Sequence, residues 1–141
     1  MSRRISKAKK EQVAKRAGNC CEYCRSNADF SPDPFSVEHI IPLSKKGSGA
    51  LSNLAYSCQG CNNRKYNHTK AIDPVTSEIV RLFHPRNDKW LDHFQWSLDK
   101  TAIIGITPYG RATVAKLDLN RKGVVNLRDV LVEIGEHPPR M

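Results

Sequence analysis

Four cysteines fall into two pairs of identical spacing, Cys21-Glu-Tyr-Cys24 and Cys58-Gln-Gly-Cys61. A C-x-x-C turn presents two thiolates to one point, and two such turns close a tetrahedron around Zn2+. With every coordination position filled, such a site is structural and activates no water. The pairs of a zinc ribbon are commonly about 15–20 residues apart. Here 33 residues lie between Cys24 and Cys58, so a segment is inserted between the two knuckles. The alternative for these four is a set of buried or reactive thiols without metal. Cys20 has a poorer spacing to Cys24 and reads as a bystander.

The insert carries Val37-Glu38-His39-Ile40-Ile41-Pro42-Leu43, then Ser52-Asn53-Leu54, and the second pair runs on as Cys61-Asn62-Asn63-Arg64-Lys65. Over about residues 20–66 this order resembles the HNH endonucleases, whose ββα-metal motif is often clasped by two C-x-x-C knuckles. The family's usual string is an acid-His-Ile-x-Pro strand, an Asn-Leu, and Cys-x-x-Cys-His-x-x-Lys. Asn62 stands where that string has its last histidine, so the chain looks like a His-Asn-Asn variant.

The resemblance implies that His39 is the general base and that Asn53 fixes the loop and orients His39. It implies Glu38 and Asn62 as ligands of a catalytic divalent ion. An imidazole titrates near pH 6.5, so His39 can be neutral and accept a proton from water. Oxygen donors such as those of Glu38 and Asn62 suit Mg2+ or Mn2+ better than Zn2+. Neighbouring strand residues point to opposite sides, so Glu38 and His39 are expected to diverge. Arg64 and Lys65, on the helix after the knuckle, are candidates for nucleic-acid contact; a solvated face is the bland alternative. His68 reads as a surface histidine, and Trp90, Phe94 and Trp96 as core.

Elements must position these residues. Ser6 caps an expected helix to about Ala17, stopped by Gly18 and basic on its exposed side. Phe35–Ile41 reads as a strand ended by Pro42, and Leu54–Ser57 as a second strand. The stretch from the second cysteine pair to Lys70 is compatible with a helix. Asp73-Pro74 marks the expected internal boundary. Beyond it come strands near Ile79–Phe83, His93–Leu98 and Thr101–Ile106, the last two joined by an Asp99-Lys100 turn. Thr107-Pro108 starts a helix to about Lys116. Val124, Leu127, Leu131 and Ile134 recur at helical spacing in a last helix ending near Gly135.

The expected fold is therefore α+β. It comprises a basic N-terminal helix (1–18), an HNH core with zinc knuckles (19–72) and a C-terminal α+β extension packed on it (73–141). The chain has 141 residues, with 23 Lys+Arg against 14 Asp+Glu and a net charge of +9. That excess favours polyanionic partners, and the Lys and Arg of residues 3–16 fit a non-specific phosphate grip. The longest apolar run, Ala102–Ile106, is far too short to span a bilayer. No apolar stretch follows the basic start, so neither a secretory signal nor a membrane location is expected, and a reducing cytoplasm is. The function expected is metal-dependent cleavage of phosphodiester bonds in DNA, with double-stranded DNA as the expected partner. The alternative is a non-enzymatic zinc-containing module that binds nucleic acid.

Overall fold

The computed structural model describes residues 4–141, so Arg3, counted above in the basic grip, lies outside the described residues. Helix α1 covers Lys7–Arg16, and the Ser6 side chain accepts the Lys9 amide as its N-cap. Strands β1 (Ser36–His39) and β2 (Leu54–Ser57) pair antiparallel with His39 opposite Leu54 and Glu38 opposite Ala55. Strand β1 is shorter than expected. Its next residues, Ile40 and Ile41, donate their amides to the backbone and side-chain oxygens of Asn53 and so leave the ladder.

Helix α2 spans Gln59–Lys65 and is capped by the Cys58 side chain. It ends five residues before Lys70, because Tyr66 takes a positive φ of 50° that breaks the helix. Lys70–Ile72 forms instead β3, paired with β4 (Ile79–Arg81). A short α3 (Trp90–His93) precedes the hairpin of β5 (Phe94–Trp96) and β6 (Ile103–Gly105). Helix α4 (Pro108–Leu117) starts where Thr107 Oγ1 accepts the Gly110 amide, and α5 (Lys122–Glu133) closes the fold. Of the four apolar positions expected to mark α5's buried face, Leu131 is buried, whereas Ile134 lies past the helix end and is exposed.

One apolar cluster joins residues from both sides of Asp73: Cys21, Tyr23 and Ile40 pack with Phe83, Trp90, Phe94, Ile103 and Leu117. Asp73 itself is fully buried and receives two guanidinium hydrogen bonds from Arg111 of α4, at 2.9 and 2.7 Å. The expected boundary is therefore a point of attachment between the β3–β4 hairpin and α4. No helix among the described residues is long and apolar enough to cross a membrane.

Candidate metal centre and adjoining cleft

The 33-residue insert folds back as the β1–β2 hairpin, which returns the second knuckle to the first. The sulfur atoms of Cys21, Cys24, Cys58 and Cys61 all lie within 4.8 Å of one another, and all four residues are buried. A tetrahedral Zn–S distance of about 2.3 Å puts sulfur atoms about 3.8 Å apart. The Cys24–Cys58 separation is 3.7 Å. The four cysteines thus fit a zinc site. Amides at Cys24 and Cys61 donate to Cys21 Sγ and Cys58 Sγ at 3.4 Å, the contact that stabilises a thiolate at a knuckle turn. Cys20 stands outside the group, buried in a single backbone bridge to Asn27.

Sequence spacing gave no hint of Arg121, at the start of α5. Its guanidinium donates to Cys58 Sγ at 3.5 Å and to Cys61 Sγ at 3.6 and 3.7 Å. The approach runs over Gly60, where a Cβ would lie 2.5 Å from Arg121 Nη2. Four thiolates around Zn2+ carry a net charge of −2, and a guanidinium at the sulfurs offsets part of it. Arg128, also on α5, donates to the Cys24 carbonyl at 3.3 Å, and the Trp90 indole donates to the Tyr23 carbonyl at 3.0 Å.

The cleft lies between β1 and α2. Alternation along β1 buries Glu38 and leaves Val37 and His39 half exposed on the opposite face. His39, Asn62 and Tyr66 line an open depression of about 450 Å³, which Glu38 also borders. Neither the His39 ring nor the Asn62 amide makes a side-chain hydrogen bond among the described residues. Partial burial lowers the His39 imidazole below its ordinary pKa. Tyr66 is 72% exposed at the rim of the cleft. Only its location at the broken end of α2 marks it, and sequence reading missed it.

Glu38 is held on both sides. The Tyr23 hydroxyl donates to Oε1, and the Lys65 ammonium lies 3.4 Å from Oε2. Burial raises the Glu38 carboxyl above the usual carboxylate range, and Lys65 and Tyr23 pull it back. Lys65 corrects the expectation of a phosphate contact. It is 1% exposed, and its Nζ also donates to the Ile40 carbonyl at 2.8 Å. Cys61 must face the knuckle, and a residue four positions later on a helix faces the same way, so Lys65 points inward. Arg64, one position before it, is exposed, and among the described residues its side chain bonds the Gly60 carbonyl alone.

Asn53 is buried and closes the loop after β1. Its Oδ1 accepts the Ile41 amide at 2.8 Å, and its Nδ2 donates to the carbonyls of Ile41 and Ser48 at 3.0 and 2.7 Å. Gly47 passes so close to the Ile41 carbonyl that no Cβ fits. Asn53 therefore sets the backbone two residues after His39 and does not touch the imidazole. Replacing Asn53 with alanine strands three backbone groups, at a cost of about 1–3 kcal/mol of stability. A lowered urea midpoint with an unchanged m-value is the expected reading.

Residues 21–68 match the family model described as HNH endonuclease. That stretch is similar to an HNH domain. Nothing among curated proteins or solved structures matches the chain. The HNH match ends just past α2, yet Arg121 and Arg128, which brace the zinc knuckles of that domain, come from α5. The matched stretch and the rest of the chain share one core.

Proposed function

We propose that this protein is a metal-dependent endonuclease that hydrolyses phosphodiester bonds in DNA, with His39 as the general base. The observation that supports this reading best is the His39 imidazole, which has no side-chain partner among the described residues and lines an open cleft with Asn62. A neutral imidazole there accepts a proton from an attacking water. The strand under it is anchored by the β1–β2 ladder and by the Asn53 clamp, so the base is held in place before substrate arrives. Arg64, exposed on α2, is the proposed contact for a backbone phosphate.

Glu38 and Asn62 suit a hard divalent ion by donor type. The Asn62 carboxamide oxygen is unpartnered, and each Glu38 oxygen accepts one hydrogen bond, which leaves a further lone pair on each. Mg2+ or Mn2+ commonly takes one or two protein oxygens and fills its remaining positions with water and phosphate. When bound, such an ion supplies charge neutralisation on the phosphate and on the departing oxygen. The zinc cluster is closed and serves the fold only. A reducing cytoplasm is the compartment that suits five cysteines with no disulfide among them.

The test is nicking of supercoiled plasmid by the purified protein with Mg2+, Mn2+, Zn2+ or EDTA. Cleavage with Mg2+ or Mn2+ and none with EDTA is expected. DNA binding without cleavage under any ion would replace this reading with the non-enzymatic zinc module. Asn62→Ala should raise sharply the metal concentration needed for half-maximal rate. Asn62→His should restore activity with a shift toward metals that prefer nitrogen donors. An unchanged metal response in both variants would remove Asn62 from the ion's ligands.

A further inference from the structure

The cations of α1 fall into two groups. Lys9 Nζ donates to the Gly49 carbonyl at 2.9 Å, and Arg16 donates to the carbonyls of Leu51 and Leu54 at 3.0 and 2.7 Å. These two hold the loop between β1 and β2 against the helix. Lys7 and Lys10 are exposed, and their ammonium groups make no hydrogen bond or ion pair among the described residues. With Glu11 they line a groove of about 520 Å³ between α1 and the β1–β2 hairpin. Positions 7, 10 and 11 are spaced three and four apart, so they share one face of the helix.

The opposite wall of this groove carries Phe35 and Tyr56, whose rings tilt against each other at 5.3 Å. Gln59, the first residue of α2, fixes that wall by donating to the Pro34 carbonyl at 2.9 Å and to Ser36 Oγ at 2.7 Å. Ser36 and Val37 line both this groove and the cleft that holds His39. Val37 and His39 lie on the same face of β1, two residues or roughly 6.6 Å apart along the strand. The His39 cleft and the groove with its two unpaired ammonium groups thus adjoin at Ser36 and Val37 of β1.

The geometry points to this groove as the seat of the DNA backbone on one side of the cleaved phosphate, with Lys7 and Lys10 as its phosphate contacts. The inference rests on the nuclease reading for the place of the cleaved bond. Its lining suits a polyanion: two free lysines along a groove that meets the cleft, with one carboxylate in the lining, Glu11, and Asp29 near enough to act on Tyr56 of the far wall. Counterion release makes each such contact visible as salt dependence, about 0.9 in the slope of log K against log salt for duplex DNA.

The test is binding of a fluorescein-labelled duplex of arbitrary sequence across a salt series, in a His39→Ala background so that the duplex stays intact. Lys7→Ala with Lys10→Ala should make the slope shallower by about 1.8. Lys89→Ala with Lys122→Ala removes two exposed lysines outside the groove and should leave the slope unchanged. Glu11→Gln should tighten binding. All of these positions are on the surface, so folding is not at risk. Equal slopes for the two lysine pairs, or no binding of the duplex by the parent protein, would overturn the inference. Plasmid cleavage with an unaltered slope would sink the groove and spare the nuclease reading. A slope that responds to Lys7 and Lys10 in a protein that never cleaves would do the reverse.

Discussion

Replacing Cys58 with serine should give a protein that neither holds zinc nor folds. Structural zinc contributes roughly 10–16 kcal/mol of apparent binding free energy in small zinc modules, as much as the whole stability of an ordinary domain. Cys58 is placed for the largest effect, because its sulfur also caps α2 by accepting the Cys61 amide and receives Arg121. Loss of that ligand releases α2, and with it Asn62 and the buried Lys65 that ties α2 to β1. One zinc per chain is expected in the parent by metal analysis, and none in the variant, which should lose its cooperative thermal transition. Cys20→Ser, outside the cluster, should keep its zinc. A Cys58→Ser protein that stays folded and metal-free would remove the site.

His39→Ala should lower the cleavage rate by about 10²–10⁴-fold, the usual contribution of a positioned general base. The imidazole makes no side-chain contact that supports the fold and is separate from the cysteine cluster. Zinc content, thermal unfolding and duplex affinity should therefore match the parent. The pH profile carries the sign. A base works only when unprotonated, and partial burial moves the His39 imidazole below its ordinary 6.5. The rate should stay level through pH 7 and fall only as pH drops through that lowered value. An alanine variant that nicks plasmid at the parent rate with the same acid limb would end the general-base assignment.

Signals confined to a few consecutive residues could be read without the fold. Ser6 and Thr107 announce helix starts because a side-chain oxygen satisfies an amide two or three positions on, and both do so here. The two C-x-x-C turns announce a metal cluster because each fixes two sulfurs by itself. The alternation of β1 separates Glu38 from His39, as the pleat requires. The string from Glu38 to Lys65 carried the family resemblance because its order survives any loop length between its parts.

Interactions between distant residues had no such local mark. Lys65 looked like a phosphate contact because its type and helix position allow one. Only the packing of α2 on β1 turns it inward to Glu38 and the Ile40 carbonyl, where an unpaired ammonium would be costly. Nothing near Arg121 refers to cysteines 60 residues earlier, and only the docking of α5 brings them together. Asp73 read as a boundary because Asp-Pro is a turn signal, and the turn exists. Its carboxylate is buried by Arg111 from α4, a residue that local sequence cannot place beside it. Local chemistry gave the candidate residues. Burial, a property of the whole fold, decided which of them face solvent and which face the core.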